Sequence, residues 1–108
     1  MAGVSAEFLS LTTIGRVSGE AREIEIWFTE HAGRYYVIAE HGERARWVQN
    51  LRADPIVRVR VADRSFATIA RVVDPIAEPT LSRAVRGRSE AKYGWGDGLV
   101  IELVPSAA

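Results

Sequence analysis

The chain has 108 residues, 47% hydrophobic and 26% charged, with 14 basic and 14 acidic side chains and a formal net charge of zero. That is the size and composition of one folded domain, 1–108, and it excludes a disordered chain; no apolar run approaches the roughly 18 residues of a membrane-spanning helix. With no cysteine and two histidines, His31 and His41, disulfides, thiolate metal sites and cysteine nucleophiles are excluded, and no metal centre is expected.

The first residues carry neither the basic region nor the apolar stretch of a secretory signal, so the cytoplasm is the expected compartment. Residues 8–14, Phe-Leu-Ser-Leu-Thr-Thr-Ile, are rich in β-formers and predict a strand, and two glycines and a serine in 15–20 predict a loop. Residues 22–29 alternate, with Ile24, Ile26 and Phe28 on one face and Glu23, Glu25 and Trp27 on the other, the period of a half-buried strand. A short connection ending at Gly33 leads to a second alternating strand over 34–40, so the two predict a hairpin. Residues 44–53 place Trp47, Val48 and Leu51 on one stripe and predict a helix, closed before Pro55. Residues 56–61 alternate again, Asp63-Arg64 is a turn, and 65–73 return as a strand. Pro79 fits the first turn of a helix over 79–92, with Leu81, Ala84, Val85 and Ala91 near one face and Gly94 as its stop. A last strand covers 99–104 before Pro105. Six strands joined mostly by hairpins, with two helices, predict a mainly β (α+β) chain folded as a small closed or half-closed antiparallel barrel.

Three segments carry candidate chemistry. In 12–22, Gly15 and Gly19 allow a tight turn, Thr13 and Ser18 offer hydroxyls, and Arg16 and Arg22 offer forks that suit phosphate or carboxylate oxygens; a plain glycine-rich hairpin with solvated arginines has the same composition. In 40–51, the chain leaves a strand, turns at Gly42 and enters a helix whose free N–H groups favour an anion. There Trp47 reads either as a flat wall or as a core side chain, and Asn50 either as a ligand contact or as a cap on a neighbouring loop. In 93–98, Tyr93 and Trp95 stand among Gly94, Gly96 and Gly98. This is either a mobile loop that closes over an apolar substrate or a loop pinned by two buried rings. No nucleophile–base set and no G-x-S-x-G elbow is present, and Glu23 and Glu25 read as a solvent face, so an enzyme built on this chain would borrow a cofactor. Nucleic acid is not an expected partner. The arginines Arg44, Arg46, Arg52, Arg58 and Arg60 are not interleaved with aromatics, and the net charge is zero.

The segments T-x-G-R-x-S-G over 13–19 and W-x-x-N-L-x-A-x-P over 47–55, in order within 9–73, resemble the deazaflavin-dependent nitroreductase family. The resemblance implies a six-stranded antiparallel split β-barrel of the FMN-binding type with two short helices. It implies an oxidoreductase that uses reduced deazaflavin coenzyme F-420, with FMN as second choice, for hydride transfer to a quinone, nitroaromatic or enone. A non-catalytic flavin or deazaflavin carrier is the alternative. By the same resemblance Arg16, Val17, Ser18 and Arg22 hold the coenzyme's phosphate, Ala39, Glu40, His41 and Gly42 line the strand end beside its ring, and Trp47 and Asn50 brace it. The acceptor side is expected from Trp27, Tyr93 and Trp95, with Tyr93 as proton donor. Partners are then a small-molecule acceptor and, compatibly, a second copy of the chain as a homodimer. Four positions depart from the family pattern: His41 stands where a lysine is common, Glu43 where a glycine is, and Glu25 and Ala45 where prolines are. A lost lysine and a gained glutamate imply weaker binding of an anionic coenzyme.

Overall fold

The computed structural model describes residues 6–106, and the first residues read for a signal lie mostly outside it. Its alternating runs form β1 (Phe8–Ile14), β2 (Ala21–Trp27), β3 (Thr29–His31), β4 (Arg34–Ala39), β5 (Ile56–Val61), β6 (Arg64–Val72) and β7 (Leu99–Pro105). A 3-10 turn (Gly42–Arg44) and α1 (Arg46–Ala53) follow β4, and α2 (Pro79–Tyr93) precedes β7. All pairings are antiparallel in the order β2-β1-β5-β6-β7-β4-β3. The two edge strands, β2 and β3, are separated in the chain by Phe28 alone. The sheet therefore curls until its edges meet at one residue without zipping together, which is a split barrel.

Phe28 also corrects two expectations. The strand expected over 22–29 is broken there, and the hairpin with 34–40 is made only by the three-residue β3, while β2 pairs with β1 through Phe8↔Trp27 to Ile14↔Ala21. This is why there are seven strands rather than six. The physical cause is α2. The Phe28 N–H donates to Tyr93 Oη at 3.1 Å. The Phe28 carbonyl accepts from Tyr93 Oη and from Lys92 Nζ, each at 3.0 Å. Side chains thus satisfy the backbone groups that a continuous strand would have paired.

Leu9, Leu11, Val57, Val59, Ile101 and Leu103 fill the barrel, and Val48 and Leu51 of α1 pack against them. On the outer face α2 covers Tyr36, Ile38, Val73 and Val100. Of the face expected, Val85 is buried and Leu81 packs beside it, but Ala91 is exposed and Ser82 and Ser89 complete the buried line. The serines are tolerated because they are bonded: Ser89 Oγ donates to the Trp95 carbonyl at 2.5 Å, and Ser82 Oγ accepts from Arg86 Nε at 3.3 Å.

A charged cluster crosses β4, β7 and β6. Glu102, 1% exposed, stands in register with Tyr36 and Arg71. Its carboxylate accepts from Arg71 Nε at 2.7 Å, Tyr36 Oη at 2.8 Å and Arg34 at 3.2 Å, and Arg71 reaches on to Glu78. Burial alone raises the Glu102 carboxyl, but its three donors outweigh it and hold the group below the ordinary carboxylate range. Burial, with the Glu102 carboxylate beside it, pushes the Tyr36 hydroxyl up to about 12. Among the described residues no helix is long and apolar enough to cross a membrane, and no group of three acidic or histidine side chains could hold a metal.

Candidate functional site

The loop after β1 is closed by its own backbone, with Gly15 N–H to the Glu20 carbonyl and Gly19 N–H to the Gly15 carbonyl, both at 2.8 Å. A Cβ on Gly15 would fall 2.7 Å from Ser18 Oγ and 3.3 Å from the Glu20 carbonyl, so this turn needs glycine. Ser18 Oγ accepts from Glu20 N–H at 3.1 Å, which leaves its hydroxyl proton available to an anion. Asn50, buried on α1, fixes the loop to the helix. Its Oδ1 accepts from Arg16 N–H and its Nδ2 donates to Thr13 Oγ1, both at 3.2 Å. Both amide atoms therefore bond to protein, and its bracing acts on the loop.

A cavity of about 680 Å³ opens between this loop and α1, lined by Arg16, Val17, Ser18, Arg22, Arg46 and Asn50. Three arginines and no carboxylate line it. Among the described residues the Arg22 guanidinium meets only Glu20, 3.2 Å away at the surface. Arg46 has no ion pair among the described residues. The Arg16 guanidinium rests on Gln49 Oε1 at 2.7 Å, and Gln49 Nε2 donates to the Glu43 carbonyl at 3.2 Å. Glu43, where a glutamate was expected to repel an anionic coenzyme, lines neither this cavity nor the next. Arg52 grips its carboxylate at 2.7 and 2.5 Å and holds it below the ordinary range.

The second cavity, about 580 Å³, adjoins the first, and Ile24 and Trp47 line both. Its walls include Trp27, Trp47 and Trp95, every tryptophan in the chain, together with Phe8, Ile26 and Ile38. Ala39, Glu40 and His41 form a rim at the end of β4, while Gly42 stands outside the lining. Glu25 and Glu40 are its charged side chains; no arginine or lysine lines it. Glu40 Oε1 lies 4.0 Å from His41 Nε2, both side chains largely exposed. The strand end is held tight, because a Cβ on Gly98 would come 2.5 Å from the Ala39 carbonyl.

Of the three expected acceptor-side rings, Trp27 and Trp95 line the cavity and Tyr93 does not. Tyr93 stacks behind Trp27, with ring centroids 4.4 Å apart and planes 6° from parallel, and Trp95 meets Trp27 edge-on at 6.4 Å. Tyr93 Oη lies 2.6 Å from the Glu7 carbonyl and 3.0 Å from that of Phe28, so its proton is held by the backbone. The loop over 93–98 is pinned rather than mobile. Ser89 holds the Trp95 carbonyl, and Arg86 donates to the carbonyls of Gly96 at 3.4 Å and Gly98 at 2.6 Å. Sequence reasoning missed Phe8, Arg46 and Gln49 as site residues. Arg46 was reachable, since it precedes Asn50 by four residues and so shares its helix face.

A model of the family described as F420H(2)-dependent quinone reductase matches residues 3–95. None of the curated proteins matches the chain in sequence. Among solved structures, the heme storage protein HutZ from Vibrio cholerae superposes with a TM-score of 0.77 at 19% identity, covering 95% of this chain and 84% of that one. A conserved hypothetical protein from Mycobacterium tuberculosis gives 0.76 at 20%, covering 96% and 75%. An F420-H2 dependent reductase gives 0.64 at 24%, covering 94% and 99%. At these identities the likenesses establish the split-barrel fold.

Proposed function

The chain belongs to the F420H(2)-dependent quinone reductase family, deazaflavin-dependent oxidoreductases, and from that premise we propose that its groove binds the coenzyme with its anionic part among the arginines and its ring among the tryptophans. The observation that carries this reading is the adjoining pair of cavities: one lined by three arginines and no carboxylate, the other by three tryptophans. The donor set fits a phosphate. Arg16, Arg22 and Arg46 supply charge and forked N–H groups, and Ser18 supplies a hydroxyl proton. Asn50 and Gly15 set the loop that carries two of these groups.

When bound, the reduced coenzyme supplies a hydride to the acceptor. The chain's own part is to bind, orient and keep dry. Trp27, Trp47 and Trp95 offer flat apolar faces for a quinone, nitroaromatic or enone and exclude water from them. Tyr93 and Lys92 act behind the wall by holding the crossover on which Trp27 sits. The proton that completes reduction of a carbonyl acceptor is passed by His41, a rim imidazole with Glu40 beside it, because the Tyr93 proton is held by backbone carbonyls.

The test is fluorescence titration with oxidised deazaflavin coenzyme and with FMN side by side, followed by quinone reduction with loaded protein against coenzyme alone. Tighter binding of the deazaflavin and faster reduction by the loaded protein are expected. Equal rates with and without protein would reduce the chain to a carrier.

A further inference from the structure

The groove is electrically polarised along its length, and the two ends are opposite in sign. The loop end presents Arg16, Arg22 and Arg46 without a carboxylate, and the tryptophan end presents Glu25 and Glu40 without an arginine or lysine. Three indoles line the same end. An aromatic face carries negative potential and attracts a cation, as a carboxylate does. Both features of the acceptor end therefore disfavour an anion and favour a positive charge.

We propose that this site selects flat aromatic acceptors by charge, taking a cationic acceptor in preference to a neutral one and a neutral one in preference to an anionic one, with Glu25 and Glu40 as the determinants. The proposal rests on the reading of this cavity as the acceptor site. Glu25 belongs to β2, whose ladder with β1 fixes it opposite Ser10, and Glu40 is the turn residue that follows β4, so the two carboxylates come from different elements at the lining of one cavity. Both are open to solvent, so the selectivity is modest and falls as salt screens it.

The experiment uses three 1,4-naphthoquinones that differ in one side arm: trimethylammonium, neutral methoxy and sulfonate. Kd is read by quenching of tryptophan fluorescence on the protein without coenzyme, and kcat/KM on the coenzyme-loaded protein. The cationic quinone is expected to bind about threefold to tenfold more tightly than the neutral one, and the sulfonate more weakly by a similar factor. The spread should collapse at 1 M salt, shrink in Glu25→Gln with Glu40→Gln, and invert in Glu25→Lys with Glu40→Lys. Equal Kd for the three quinones, or a spread that survives both double variants, overturns the proposal. Reduction of all three at one rate with equal Kd overturns the selectivity and leaves the reductase reading standing. The charge order in Kd without any reduction supports the selectivity and overturns that reading.

Discussion

Two groups of arginines in this molecule meet opposite fates. Arg34 and Arg71 converge on the buried Glu102, and Arg71 is further held by Glu78, so charge is cancelled inside the fold. Arg16, Arg22 and Arg46 converge on a cavity, and the partners found for them there are a glutamine and one exposed glutamate. A fold that neutralises guanidiniums so thoroughly on one face leaves three arginines around a cavity on another with no buried carboxylate among the described residues there. The first group is structure; the second is the clamp proposed for the anionic part of the coenzyme.

The largest effect that tests this contrast is on stability. Glu102→Gln removes the charge that Arg34, Arg71 and Tyr36 share, and is expected to lose roughly 2–4 kcal/mol in urea unfolding with deazaflavin affinity unchanged. A loss of affinity instead would tie the two groups together and end the contrast. Next, Arg16→Ala and Arg46→Ala should each weaken coenzyme binding about tenfold to a hundredfold, the worth of a charge-assisted hydrogen bond, while the melting temperature barely moves. If Arg46→Ala binds normally, only the loop belongs to the clamp.

The pH dependence comes third. Tyr36 is raised to about 12 in the fold, so its contribution is complete below its unfolded value near 10 and disappears as pH climbs from there through the folded value. Denaturation followed over that window should show roughly 1–2 kcal/mol of loss, and Tyr36→Phe should flatten it. Glu102 works in the other direction. Its carboxyl is lowered, so its contribution is present above the ordinary carboxylate range and is lost as acid carries the pH through the lowered value. The smallest effect is at Gln49, whose carbonyl oxygen holds the Arg16 guanidinium at 2.7 Å. Gln49→Ala frees that side chain and should tighten coenzyme binding by about twofold, whereas Gln49→Glu pairs with it and should loosen binding. No response to either variant would make the contact incidental.

Much of this was legible in the chain. The bounds of β1 and β5, the end of α2 before Gly94 and the glycine-rich loop after β1 all follow from local patterning. The break at Phe28 was not, because period two continues through a residue that is buried in either arrangement; alternation reports a face and not a partner. The 93–98 segment left a mobile and a pinned loop both open for a related reason: its three glycines suggest motion, but the hydrogen bonds that pin it come from Ser89 and Arg86 on the preceding helix. Glu43 reads as a repulsive charge until Arg52, nine residues on, is seen to grip it. Arg46 lay in plain view on the helical repeat, one turn before Asn50.

β7 follows every other strand in the chain yet lies between β6 and β4 in the sheet. During synthesis on the ribosome, therefore, the four strands β2-β1-β5-β6 and the hairpin β4-β3 have no strand to join them until Leu99–Pro105 has emerged. Neither part can seal itself against a stray strand in that interval, and long-range pairing of this kind is slow to form. Completion of this barrel is thus a late, single event in the life of the nascent chain, and the apolar run Leu99-Val100-Ile101 is the key that turns it.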